Sequence, residues 1–149
     1  MVIIKMRIEY LADNKQYVNL VNDWQFEQWG RHYSNTKKEN WLKDLKSRLN
    51  KEEVPTVFIA FKEEKPVGTA SLIKHDMDTH QHYSPWLADV YVSPEYREKG
   101  IGTQLVKRVV EEGRKIGLDK LYLFTRDAKE LYLKLGWEVI EKTNYHGKD

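Results

Sequence analysis

The sequence predicts an α/β (α+β) fold, a mixed and mostly antiparallel central sheet flanked by helices, and three observations predict it. A strongly apolar run, 56–61, and a returning strand, 67–75, sit either side of a Lys-Glu-Glu-Lys-Pro turn, which is the pattern of a β-hairpin. A third apolar run, 87–92, leads through a short turn into a glycine-started amphipathic helix and then into another apolar run at 118–124. That strand–helix–strand order is a crossover between parallel strands, for which the right-handed form is expected. Elsewhere apolar residues recur with the helical period.

The elements follow in order. Residues 3–10 alternate and are rich in β-branched side chains, as a first strand requires. Tyr17, Leu20, Val21 and Trp24 fall at i, i+3, i+4 and i+7 and share one helical face, with Gly30 as the stop. Trp41, Leu42, Leu45 and Leu49 form the stripe of a second helix, capped by Ser34, Asn35 or Thr36. Pro55 marks the exit into the hairpin, and a polar loop then runs to Trp86. Gly100 opens the long helix, which reaches about Ile116, with Gly117 as its C-cap. The last elements are a strand over 118–124, a short helix from Asp127 to Leu135 ended by Gly136, and a final strand over 137–143. In the short helix Ala128, Leu131, Tyr132 and Leu135 are expected to face inward.

Composition narrows the function. A chain of 149 residues fits one domain able to bury its own core, here expected over 1–149. With 25 basic and 23 acidic residues the net charge is +2, too balanced to favour nucleic acid or an anionic membrane as partner. Cysteine is absent, which excludes disulfides, thiolate metal sites and a cysteine nucleophile. No apolar run is long enough to span a bilayer and no signal peptide is apparent, so the expected location is cytoplasmic. His75, Asp76, Asp78, His80 and His82 crowd one loop, but their spacing matches no zinc pattern, and no metal is expected.

The turn after the third apolar run, Ser93-Pro94-Glu95-Tyr96-Arg97-Glu98-Lys99-Gly100-Ile101-Gly102-Thr103, carries the chemistry. The first amides of a helix lack internal acceptors and lie at the positive end of its dipole, which suits a phosphate. Gly100 and Gly102 admit a ligand close to the backbone, and Arg97 and Lys99 add charge. Leu105 stands where a dinucleotide fingerprint wants its third glycine, and the P-loop pattern is missing. On spacing alone, a phosphate site and a bare turn both stand.

Two motifs decide between them. Arg97-x-x-Gly100-x-Gly102 resembles the Q/R-x-x-G-x-G/A signature of the GNAT superfamily of N-acetyltransferases. Thr125-Arg126-Asp127-Ala128-Lys129-Glu130-Leu131-Tyr132-Leu133-Lys134-Leu135-Gly136-Trp137 resembles that family's N-x-x-A-x-x-L-Y-x-x-x-G-F segment, with Thr125 in place of Asn and Trp137 in place of Phe. The resemblance covers about residues 67–141. It implies a parallel strand pair splayed around the cofactor, and acetyl-CoA or coenzyme A as that cofactor. Val90, Tyr91 and Val92 would lie along pantetheine, paired like an added strand. Arg97, Glu98, Lys99, Gly100, Ile101, Gly102 and Thr103 would hold the phosphates, and Thr125 and Ala128 would complete the cofactor site. The family usually continues into one more strand, so either that strand is missing or Tyr145 onward substitutes for it. A bare sheet edge would fit a homodimer as well as a monomer.

The resemblance also implies the chemistry, an amine attacking the thioester directly. Tyr132 matches the family's general acid beside the sulfur, and a phenol near pKa 10 can protonate a thiolate near about 8.5. It also completes the apolar face of its helix, so packing is the competing role. A backbone amide near Val90 is the expected oxyanion donor. Asp89 stands alone among apolar neighbours, one position after Ala88, where some relatives carry Glu; it is the candidate base, amine anchor or structural carboxylate. Trp29, Tyr33, Tyr83, Trp86 and Asp89 are candidates for the acceptor pocket, whereas Trp24 and Trp41 are expected in the core. The acceptor is expected to be a small-molecule primary amine. A protein lysine or N-terminal amine, and a non-catalytic acyl-CoA-binding module, are the alternatives.

Overall fold

A computed structural model describes residues 6–30, 37–77 and 79–143. Four strands form one antiparallel sheet in chain order: β1 (Met6–Tyr10), β2 (Thr56–Lys62), β3 (Lys65–Ile73) and β4 (Trp86–Val92). The helices are α1 (Val18–Gln28), α2 (Lys38–Lys46), α3 (Ile101–Lys115) and α4 (Lys129–Lys134). The hairpin falls where the turn residues place it, with Thr56 opposite Leu72 and Lys62 opposite Lys65.

Both faces of the sheet are covered, which explains why β2 reads as a continuous apolar run rather than an alternating one. Phe58 and Ala60 point to one side, with Val67, Ala70 and Leu72, and meet Ile101, Leu105, Val106 and Val109 of α3. Val57, Ile59 and Phe61 point to the other side and meet Leu11, Val18, Val21 and Leu45. The period of two along β2 thus sorts its side chains between two helical layers. No helix among the described residues is long and apolar enough to cross a membrane.

Several expectations need correction. The α1 face is rotated: Val18, Asn22 and Gln25 are buried with Val21, while Tyr17 and Trp24 reach the core only in part. α2 ends at Lys46, yet Leu49 still packs against the core from the following turn. The expected strand 118–124 meets β4 only at its start, through a parallel bridge between Trp86 and Tyr122. There Leu87 N donates to Tyr122 O at 2.8 Å and Tyr122 N donates to Pro85 O at 2.9 Å. Beyond that point the two segments lose their ladder, so the apolar run has no partner with which to form a regular strand. Residues 137–143 form no regular strand either, and Val139 and Ile140 are exposed. Leu131 points outward, because a helix of six residues buries only a narrow stripe, here Tyr132 and Leu135. The cap candidates Ser34, Asn35 and Thr36, together with Tyr33, Asp78 and the segment from Tyr145, lie outside the described residues.

Candidate active site

The departure of 122–125 from β4 opens a cleft of about 620 Å³. Its walls are Leu87 to Val90 of β4, Leu123 to Ala128, Tyr132 of α4, and Trp29, Trp41, Asp44 and Arg48 from the α1 and α2 layer, with Ile73, His75 and Asp76 at the end of β3. The volume lies in the range of small-molecule sites.

β4 carries an irregularity at the centre of this wall. Thr69 pairs with Tyr91 and Ser71 with Ala88, so Asp89 and Val90 together oppose Ala70. This is a β-bulge, and it leaves one residue outside the ladder. Asp89 sits there in the left-handed region at φ 55, which an Asp tolerates better than most residues. Arg48 Nη1 donates to Asp89 Oδ2 at 3.1 Å, with the two side chains 25% and 17% exposed. The bulge therefore places a carboxylate in the cleft and an arginine from the opposite layer pins it. Burial raises the Asp89 pKa, and Arg48 pulls against that rise. Asp76, in the same cleft, is pushed up to about 7 by burial first and the Asp89 charge second, with Arg48 opposing.

Tyr132 is fixed by the way α4 ends. Gly136 takes φ 93, Gly136 N donates to Leu133 O at 3.1 Å, and Trp137 N donates to Tyr132 O at 3.0 Å. These two bonds form a Schellman cap, whose third element is an apolar contact between the residues it joins. Here that contact is ring against ring, Tyr132 and Trp137 meeting edge to face with centroids 6.0 Å apart. The Gly-Trp pair thus orients the tyrosine. Burial raises the pKa of Tyr132 and keeps the phenol protonated. At the other end of α4, Thr125 Oγ1 accepts from Ala128 N at 3.1 Å, so a hydroxyl makes the turn in the place of the family's usual amide.

The basic turn lies past the C-terminal end of β4. Gly100 caps α3 in the left-handed conformation at φ 85, with no side chain bonded to the cap, and a Cβ there would meet nothing within 4 Å. The first α3 amide with an intrahelical acceptor is Gln104, bonded to Gly100 O at 3.1 Å. The amides of Ile101, Gly102 and Thr103 precede it and are left for an outside acceptor. Arg97 folds back, Nε donating to Val92 O at 2.8 Å with the guanidinium over the Tyr91 ring. Lys99 lies over Tyr96, and Glu98 takes a positive φ at the tip of the turn.

The sequence candidates divide accordingly. Asp89, Val90, Thr125, Ala128, Tyr132 and Trp29 share the cleft. Tyr91 turns the other way and stacks on Trp24 at 5.3 Å, leaving its backbone to β4. Two pocket candidates belong elsewhere: Trp86 is 2% exposed and donates through Nε1 to Tyr83 O at 2.7 Å, and Tyr83 stacks on Tyr122 at 4.8 Å. Both complete the small core where 122 meets β4, because the closest approach of the two segments must be filled. Trp41, expected in the core, lines the cleft instead. Asp76 enters the sequence reading only as part of the His- and Asp-rich loop, which is expected to help shape the amine pocket, and Arg48 does not enter it at all. The only sequence signal of Arg48 is charge beside apolar residues, which any surface residue shares.

The Acetyltransferase (GNAT) family model matches residues 15–137. Among curated proteins, the thialysine N-epsilon-acetyltransferase of Bos taurus is 37% identical over 75 residues, 43% of this chain and 44% of that protein. The amino-acid acetyltransferase of Edwardsiella ictaluri is 33% identical over 55 residues, 37% of this chain and 12% of that protein. The matched stretches thus span less than half of these relatives' lengths. Among solved structures, an aminoglycoside N-acetyltransferase in complex with CoA superposes with a TM-score of 0.72 at 20% identity, covering 97% of this chain and 93% of that one. An acetyltransferase with acetyl-CoA from Clostridium acetobutylicum gives 0.70 at 15% identity, over 95% and 94%. These likenesses concern the fold. The family match runs from before α1 to the Trp137 that braces Tyr132, and the chain belongs to the GNAT family of acetyltransferases.

Proposed function

We propose that this chain is an acetyl-CoA-dependent N-acetyltransferase that acetylates a primary amine of a small molecule by direct attack on the thioester. One observation carries the reading: the cleft between β4 and 122–125 brings a half-buried tyrosine, a bulged strand and carboxylates to one place. The residues present fit the cofactor, because the cap at Gly100 leaves open space where a side chain would otherwise intrude. The amides of 101–103, with Arg97 and Lys99, would hold its phosphates, and the β4 backbone at Val90 to Val92 would receive the pantetheine arm. Bound there, acetyl-CoA supplies an acetyl group activated as a thioester.

The protein's own groups do the rest. The bulge at Asp89–Val90 frees a backbone amide to stabilise developing oxyanion charge. Tyr132 gives a proton to the departing sulfur, for which burial keeps it loaded. Asp89, held by Arg48, sets a negative potential at the acceptor end and favours an amine there. Trp29 and Trp41 supply apolar walls. The cleft volume favours a small acceptor over an extended protein surface. The test is release of free thiol from acetyl-CoA over a panel of small amines and lysine peptides, alongside calorimetry with CoA. Turnover is expected with a small amine and CoA binding in its absence; CoA binding with no thiol released by any amine would reject the catalytic reading in favour of a binding module.

A further inference from the structure

Four aspartates line the cleft (Asp44, Asp76, Asp89 and Asp127), and two of them share one arginine's field. Arg48 bonds Asp89 directly, at 3.1 Å, and reaches Asp76 only through charge. Asp89 is therefore held in a salt bridge whose cation opposes the rise that burial gives its pKa. Asp76 is left as the carboxylate whose proton is free to come and go. It stands just past β3, in the cleft that Asp89 and Tyr132 also line.

We propose that Asp76 is the general base that takes the proton of the acceptor amine, and that the Asp89–Arg48 pair is a positioning device that tunes it. The proposal rests on the acetyl-transfer reading and deepens it. The Asp76 carboxylate takes one proton from the acceptor ammonium, and the freed amine nitrogen bonds to the acetyl carbon and loses its next proton to solvent. The carbon–sulfur bond then breaks with its electron pair on sulfur, which takes the Tyr132 proton. Amide, thiol, protonated Asp76 and tyrosinate remain, and the last two are reset by solvent.

The electrostatics favour this division of labour. Each charge facing Asp76 has a stated place: Asp89 from β4 raises its proton affinity, Arg48 beyond α2 lowers it, and Asp44 of α2 lines the same wall. His75 adjoins Asp76 in the chain, while Arg126, Asp127 and Tyr132 close the far side. An alkylammonium near pKa 10 lies about six units above an ordinary aspartate but only about three above a carboxyl near 7, a gain of about 10³ in proton-transfer equilibrium. An aspartate at its ordinary value would be too weak a base for an amine. Burial does most to remove that defect, and the Asp89 charge adds to it.

The test follows thiol release against pH for the wild-type chain, Asp76→Asn and Asp89→Asn, together with NMR titration of carboxyl-labelled aspartate in the CoA-saturated protein. The wild type is expected to show an acid limb in kcat near pH 7. Asp76→Asn should lose that limb and about 10²-fold or more in kcat, with CoA affinity unchanged. Asp89→Asn should move the limb, and the Asp76 titration itself, down by about a unit or more, since repulsion is lost and Arg48 is released. A purely structural Asp89 would lower stability and leave the limb in place, which would refute the positioning role. Asp76→Asn turnover within about threefold of wild type, or an Asp76 carboxyl titrating below about 5, would overturn the proposal. If no amine releases thiol, acetyl transfer fails on its own account, and the titration of Asp76 still decides whether the cleft holds a proton near neutrality.

Discussion

Burial acts on Tyr132, Asp76 and Asp89 in one direction, since it raises the proton affinity of each. For the phenol this secures the proton that a thiolate needs. Tyr132→Phe is expected to lower kcat by about 10²-fold or more while calorimetry finds unchanged CoA affinity, and wild-type turnover would reduce the residue to packing. For the carboxylates the same effect costs stability. Asp76 has a folded-state pKa raised to about 7 from an unfolded value of 3.8, so the folded chain holds a proton that the unfolded chain has released between those values. Its favourable contribution is complete below about pH 4 and is lost as pH rises through about 7. Asp76→Asn should therefore melt higher than wild type at pH 8 and equal to it at pH 3. A mutant that melts lower at both would show that the carboxylate supports the fold.

At the scale of elements, the short helix α4 shows how a cap becomes part of a site. Its six residues are too few to be stable alone, and the Schellman bonds at Gly136 with the Tyr132–Trp137 contact close its end. Gly136→Ala places a Cβ at φ 93, a strain of about 1–2 kcal/mol, and the last turn is expected to loosen. Turnover should fall several-fold through Tyr132 with little change in CoA affinity, because the amides proposed to hold the phosphates belong to α3. Loss of CoA binding instead would contradict this separation. The Ala-x-x-Leu-Tyr-x-x-x-Gly spacing was legible in the sequence because cap and stripe are both local. Which residue of the stripe turns inward was not: Leu131 and Tyr132 are both apolar, and only the position of β4 decides between them. The strand expected at 118–124 shows the same limit, since its pattern is right but a ladder also needs a neighbour at hydrogen-bonding distance, and β4 bends away at its bulge.

At the scale of the whole molecule, a buried carboxylate ties distant parts of the chain together. Glu112 of α3 is fully buried and accepts from Tyr10 Oη at 2.7 and 2.9 Å, from Glu52 N at 3.1 Å and from Arg108 Nη1 at 3.1 Å. It thereby joins β1, the segment before β2 and the helix that begins at Gly100. Glu112→Ala is expected to cost about 3 kcal/mol in denaturant unfolding, because a phenol, an amide and a guanidinium lose a charged partner at once. A loss under about 1 kcal/mol would show the network to be incidental. Taken alone, the sequence determined the order of the four strands that form and of the helices, the glycine-started helix and the place of Tyr132, since each follows from spacing along a few turns of chain. Tertiary structure alone decided that Arg48 meets Asp89, that Asp76 enters the same cleft and that Trp86 leaves it. Periodicity states which face of an element is apolar, whereas the meeting of charges far apart in the chain depends on how the layers stack and where a strand bulges.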